Sequence, residues 1–240
     1  MNRFNDKVVN KTLKHLNRPP NALFLDAGCG IGDHSLRIAE RGYQCVGVDL
    51  SETVLKKAKE NAALRGLASR TSFVCQALED LTFGDNTFDA VHCRGVLMHV
   101  PQWEKALASL CRVLKPGGRI AIMEANHRSL EMAIVLAVRK VQPRNSKMIK
   151  TEGGFEFWSE EGGQPFVVRI ANIQRLTSAL EANRTRVLKT LAHEFWDINR
   201  FPAGALRNAV MRYNYLYFLF RLPRFACIGN AIIAEKQAAF

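Results

Sequence analysis

No stretch of this chain approaches the roughly 20 consecutive apolar residues that a helix needs to span a bilayer. The start, Met1-Asn2-Arg3-Phe4-Asn5-Asp6, is polar and lacks the apolar h-region of a secretory signal. The six cysteines (Cys29, Cys45, Cys75, Cys93, Cys111, Cys227) include no C-x-x-C pair and no metal-ligand spacing. Most of them fall inside runs that read as strand or helix, where a reduced thiol packs as a small hydrophobe. These absences together predict a cytoplasmic location in a reducing compartment. The histidines form no constellation with metal-ligand spacing either, so no metal is expected. There is no internal repeat and no low-complexity tract.

Acidic residues are scarce: the net charge is +12 and the sequence pI about 9.7. The excess is uneven, because between Asn21 and Arg128 there are 13 Lys/Arg against 12 Asp/Glu. It collects in three places: residues 1–20, the set Arg139, Lys140, Arg144, Lys147 and Lys150, and the set Arg200, Arg207, Arg212, Arg221 and Arg224. Such clusters attract nucleic acid, anionic lipid or an acidic substrate, or simply form a solvated basic face. At 240 residues and 27.0 kDa, with 48% hydrophobic residues, the chain suits one domain with an embellishment.

The stretch Leu23-Phe24-Leu25-Asp26-Ala27-Gly28-Cys29-Gly30-Ile31-Gly32 organises the rest. A short β-prone run leads into three alternating glycines, and a helical pattern begins near Asp33. Strand, glycine turn and helix N-terminus let a backbone approach a ligand closely. Seventeen residues after Gly32, the run Gln44–Val48 ends in Asp49, a carboxylate at the tip of a second strand, suited to a ribose diol. The spacing is G-x-G-x-G, not the G-x-G-x-x-G of a dinucleotide site, and a βα turn that binds nothing would also show it. Cys29 within the loop is read as backbone placement rather than as a nucleophile. Further on, Phe88-Asp89-Ala90-Val91 opens a fourth strand. Arg112-Val113-Leu114-Lys115-Pro116-Gly117-Gly118 reads as helix, stop and turn, and Arg119–Glu124 as a fifth strand.

From about Ala22 to Glu124 the sequence resembles a class I S-adenosylmethionine-dependent methyltransferase. The resemblance implies an α/β fold, a Rossmann-like doubly wound sheet of seven strands with the last antiparallel. The expected organisation is a single domain over 1–240, made of an N-terminal helix (1–20), a cofactor-binding core (21–128), a helical and loop-rich lid after strand 5 (129–185), and C-terminal strands with an aromatic helix (186–240). Within the core, Ser51 is a natural N-cap for a helix at Glu52–Arg65. Residues 128–141 read as helix and 143–166 as loop. Helix is expected again near 171–183 and 203–220, and strand near Val187–Phe195 and Cys227–Ala234. The N-terminal helix either lies over the cofactor or packs on the sheet.

By the same resemblance the cofactor is S-adenosylmethionine. Asp26 is expected to meet its ammonium directly or through water. Gly28, Gly30 and Gly32 pass beside the amino acid moiety, Asp49 and Leu50 take the ribose side, and Cys93 and Arg94 lie near the methionine part. On the adenine side the chain departs from the family. The usual aspartate position falls on Ala77, leaving the Leu78 amide with Gln76 or Glu79 as substitutes. His99 matches a V-L-x-H-V pattern, and His127 stands two residues past the fifth strand. Of the two, His127 is the better candidate base, with a ring whose ordinary pKa near 6.5 suits proton acceptance.

The expected activity is methylation of a small, apolar or aromatic acceptor on O, N or C, without nucleic acid as a partner. Peripheral membrane contact through Leu206–Phe225 is weighed against burial of that helix, which is favoured. The rival readings are a nicotinamide-dependent oxidoreductase and a non-catalytic nucleic-acid or membrane-surface binding protein.

Overall fold

A computed structural model describes residues 3–141, 147–198, 201–219 and 226–238. Arg144, Arg200, Phe220, Arg221 and Arg224 lie outside the described residues. The chain runs α1 (Arg3–Leu16), β1 (Leu23–Ala27), α2 (Asp33–Ala39), β2 (Gln44–Asp49), α3 (Glu52–Leu64), β3 (Thr71–Cys75), β4 (Phe88–Arg94), α4 (Trp103–Val113) and β5 (Leu114–Ala125). It continues as α5 (Leu130–Val141), β6 (Lys147–Thr151), β7 (Gly154–Glu161), β8 (Gln164–Ala171), α6 (Ile173–Ala182), β9 (Thr185–Glu194), α7 (Ala205–Leu219) and β10 (Gly229–Lys236).

Seven strands form one sheet in the order β3-β2-β1-β4-β5-β10-β9. The pairs from β3 to β5 are parallel, and β10 is antiparallel to both of its neighbours. Because β1 and β4 are central, their carboxyl ends sit where the strand order reverses, the place where open α/β sheets bind ligands. Their residues are buried on both faces, as parallel strands require. Phe24, Ala90, Ala121 and Ile233 pack with Val9, Leu13 and Leu16 of α1 and Ile38 of α2. On the opposite face Leu25, Val91, Ile120 and Ile122 pack with Leu107 and Leu110 of α4 and Leu176 and Leu180 of α6. The N-terminal helix is therefore a packing helix on the sheet, over its described side chains.

Local signals placed several boundaries. The Ser51 hydroxyl accepts from the Val54 amide at 3.3 Å and caps α3. The Pro116-Gly117-Gly118 turn survives as a bulge inside β5, since Leu114 pairs with Phe88 and the next pair is Arg119 with Ala90.

The insertion differs from its expected form. Where a loop was read over 143–166, β6, β7 and β8 make a three-stranded antiparallel sheet. Phe155, Phe157 and Val168 turn one face onto α5, beside Met132, Val135 and Leu136. Four glycines and four glutamates masked that alternation, yet the glycines sit at the two hairpin turns, 153–154 and 162–163. α7 also departs from expectation: among its described side chains only Asn214 and Tyr217 are buried, while Leu206, Tyr213 and Leu216 are exposed. Among the described residues no helix is long and apolar enough to cross a membrane.

Candidate active site

The glycine loop is tied to the tip of β2 by two backbone donors, and a third, from Ser51, completes the Asp49 carboxylate's partners. The Cys29 amide donates to Val48 O at 2.9 Å, the Gly30 amide to Asp49 Oδ2 at 3.0 Å, and the Ser51 amide to Asp49 Oδ1 at 3.1 Å. A carboxylate oxygen has two lone pairs, so each oxygen of Asp49 retains accepting capacity for a hydroxyl. Gly30 has φ +54°, and a Cβ built there meets nothing within 4 Å. The loop is open on that side, where a ligand can reach the backbone. Gly28 has φ +68° and faces the opposite situation, because a Cβ there would lie 2.3 Å from Val96 Cγ2. Gly32 closes the loop as the residue before α2. Leu50 is 69% exposed and Ile31 45%, two apolar side chains left bare next to this polar loop.

After β3, Gln76 folds back on its own turn: its amide donates to Thr82 Oγ1 at 2.8 Å and its oxygen accepts from the Thr82 amide at 3.0 Å. Gln76 is thus occupied and exposed Asp80 pairs with Lys105 at 2.7 Å, which leaves half-buried Glu79 as the second acidic side chain of that turn. Leu78 is buried and Ala77 half-buried beside it.

Asp26 is held by two buried side chains. It is 2% exposed, with Oδ1 at 2.9 Å from His92 Nδ1 and Oδ2 at 2.5 Å from Ser35 Oγ. Burial alone would raise its pKa, but the hydrogen bond and charge of His92, then His34 and Ser35, bring it below the ordinary value. Both Asp26 oxygens thus have a buried side-chain partner, and each keeps a second accepting lone pair. Beside it, His34 and His92 lie 5.0 Å apart, and burial followed by His92 pushes the His34 pKa down to about 3. Cys93 is fully buried. Arg94 is partly buried; burial lowers its pKa, opposed by Glu194.

The two histidines both meet the insertion. Exposed His99 places Nδ1 3.1 Å from Val167 O and stacks on Phe166 with centroids 5.0 Å apart. His127 donates its amide to Ala171 O at 2.9 Å, sets Nδ1 3.1 Å from the same oxygen, and meets Phe155 edge-on. His127 lines an open cleft of about 450 Å³ with Arg128, Leu136, Lys150 and Phe155. Its pKa is lowered, first by burial and then by Arg128 and Lys150, against the opposing hydrogen bond to Ala171.

Sequence reasoning missed three buried polar side chains: His92 in β4, Glu124 in β5 and Arg169 in β8. The available signal was one ionisable residue in an otherwise apolar strand, as in Ile120-Ala121-Ile122-Met123-Glu124. Among the described residues no group of histidine, cysteine and carboxylate side chains could hold a metal ion.

A doubly wound sheet with a glycine loop at the switch point and a carboxylate at the next strand tip is an α/β architecture whose ligands bind at the carboxyl ends of the strands. Residues 25–122 match the family described as a methyltransferase domain. Over 107 residues the chain is 39% identical to tocopherol O-methyltransferase of Arabidopsis thaliana, covering 44% of this chain and 31% of that protein. Over 116 residues it is 39% identical to ubiquinone biosynthesis O-methyltransferase of Idiomarina loihiensis, covering 47% of each. The chain thus spans a third to a half of the length of these relatives. A crystal structure of a SAM-dependent methyltransferase from Methanosarcina mazei superposes with a TM-score of 0.69 at 21% identity, over 95% of this chain and 98% of that one. That likeness concerns the fold and extends it beyond the matched core.

Proposed function

We propose that this protein methylates a small acceptor with S-adenosylmethionine, and that the acceptor has a planar or apolar body and enters the cleft beside His127. The observation that carries the donor half is the Gly30–Asp49 tie, with open space at Gly30 and accepting capacity left on Asp49. Bound S-adenosylmethionine would supply a methyl group already made electrophilic by its sulfonium. The chain's own residues hold and orient: Asp49 the ribose hydroxyls, the glycine loop and the backbone of Cys93 the amino acid part, Leu78 and Glu79 the adenine. Proximity in such a reaction provides most of the effect.

A carbonyl oxygen only accepts, so the His127 tautomer that bonds Ala171 O carries its proton on Nδ1, leaving Nε2 with a lone pair. Its lowered pKa keeps the ring neutral near pH 7, the state in which it takes a proton from an acceptor hydroxyl or amine. Phe155 and Leu136 suit an apolar or aromatic body, and Arg128 and Lys150 suit an acidic substituent on it. A reducing, cytoplasmic setting accords with six free cysteines, five of them buried.

Calorimetry with S-adenosylhomocysteine tests the donor half, with binding expected and absence of binding to folded protein rejecting it. A transfer screen with labelled donor over phenolic and apolar acceptors, with and without a carboxylate, tests the other half. Turnover restricted to large polar or polymeric acceptors rejects the cleft.

A further inference from the structure

We propose that the turn Val96–Val100 couples the three-stranded insertion to the glycine loop, with Glu124 and Arg169 holding it from its two ends as positioning residues for the methyl donor. This rests on the donor-site reading above.

The 3-10 turn Leu97–His99 leaves β4 directly over the glycine loop, because Val96 fills the space beside Gly28. A short helical turn leaves amides unpaired at its start and carbonyls at its end. Glu124 Oε1 accepts from the amides of Val96 at 3.2 Å and Leu97 at 2.9 Å. Arg169 Nη1 donates to Leu97 O at 3.0 Å and Val100 O at 2.9 Å, and Nη2 to Pro101 O at 3.3 Å. A negative group thus holds the amide end and a positive group the carbonyl end. The two come from different parts of the molecule, Glu124 from the central sheet and Arg169 from the insertion, where its Nε donates to Glu156 Oε1 on β7 at 2.9 Å.

Both Glu124 and Arg169 are 4% exposed, and both line a small cavity of about 10 Å³ with Met98, Trp103 and Gly153. Glu124 Oε2 is buried there without a hydrogen-bond partner among the described residues. A half-satisfied buried carboxylate is costly to keep ionised. Burial raises the Glu124 pKa to about 7, against the amides of Leu97, Val96 and Met98 and the charge of Arg169. The charged and titratable groups facing it are Arg169 from β8 and the Cys93 thiol from β4. Trp103 of α4, Leu176 of α6 and its β10 partner Asn230 bring no charge. Below pH 7 the carboxyl takes a proton, its hold on the Val96 and Leu97 amides weakens, and Val96 is freed to move over Gly28.

The test is S-adenosylhomocysteine affinity by calorimetry at pH 6 and pH 8 for the wild type and Glu124→Gln, which keeps the shape and cannot titrate. The ligand's own titration is common to both proteins, so the ratio of their affinities isolates Glu124. Wild-type advantage is expected to grow about five- to tenfold from pH 6 to pH 8, one unit of pKa coupling being tenfold. Arg169→Lys, which keeps charge and loses the fork to three carbonyls, is expected to weaken binding about threefold or more and to keep the pH dependence. A ratio constant with pH, or unchanged affinity in Arg169→Lys, overturns the coupling alone. Failure of the wild type to bind at either pH overturns the donor-site reading. Amide exchange over 95–99 in the free wild type needs no variant: protection corrected for intrinsic rate should fall from pH 8 to pH 6, and equal protection overturns the proposal.

Discussion

The Gly30 amide donates to Oδ2 of Asp49 across 3.0 Å, so the loop after β1 and the tip of β2 are one unit. The second oxygen of the same carboxylate takes the Ser51 amide, and Ser51 in turn caps α3. One side chain therefore orders the loop, the strand tip and the next helix. It also presents its remaining lone pairs to the open side of Gly30.

That double role sets what replacement should do. Asp49→Ala leaves ribose hydroxyls and the Gly30 amide without an acceptor, at about 1–3 kcal/mol for hydrogen bonds to a charged group. S-adenosylhomocysteine should bind about five- to a hundredfold more weakly by calorimetry. Asp49→Asn should fall between, since its oxygen still accepts one of the two amides. Unchanged affinity in a folded Asp49→Ala protein removes this residue from the donor site.

Gly28 and Val96 offer a test of close packing at the loop. Alanine at Gly28 adds a left-handed backbone cost of about 1–2 kcal/mol and a contact with Val96 at 2.3 Å, for a total of about 2–4 kcal/mol. Only the second part depends on Val96. Denaturant midpoints should therefore show Gly28→Ala partly rescued by Val96→Ala, with a coupling of at least about 0.5 kcal/mol. Strict additivity would mean that the backbone term is the whole effect.

The core was legible because its signals are local. Apolar runs of strand length, Gly28-Cys29-Gly30-Ile31-Gly32, Asp49 at a strand tip and Ser51 before a helix each act within a few residues of themselves. The insertion was not, because its strands are specified by pairing with one another and by α5 rather than by period alone. Phe155-Glu156-Phe157-Trp158 alternates, but Glu156 reads as a loop acid until Arg169, thirteen residues on, supplies its partner at 2.9 Å. Asp26 shows the same limit at the site. Its position after an apolar run matches a ligand-facing carboxylate, and only the tertiary fold brings His92 and Ser35 to its two oxygens.

The histidines should separate by readout. His127→Ala is expected to lower turnover about 10²–10⁴-fold if the acceptor must lose a proton, with donor affinity kept. His99→Ala removes an exposed stacking contact with Phe166 and should cost stability of no more than about 1 kcal/mol, with turnover near normal. Turnover lost in His99→Ala and kept in His127→Ala reverses the roles. Turnover kept in both leaves positioning as the whole mechanism.

Glu194 carries the last expectation, on stability. It is partly buried at the end of β9, and burial raises its pKa to about 7 despite the Ile198 amide, with Asp197 reinforcing, Arg94 opposing and Glu131 reinforcing the shift. The ordinary value of 4.5 stands for the unfolded chain. Between about pH 4.5 and 7 the folded protein therefore holds more protons on this group than the unfolded one. Stability must then fall as pH rises through that window, and the whole penalty, at most about 3 kcal/mol, is present above pH 7. Glu194→Gln keeps an oxygen for the Ile198 amide and carries no charge to desolvate. Its urea midpoint should exceed that of the wild type at pH 8 and approach it at pH 5. Glu124 contributes a slope of the same sign, so the variant should retain part of the pH dependence rather than lose it. A Glu194→Gln protein with wild-type midpoints at both pH values would mean that Glu194 is solvated and unshifted.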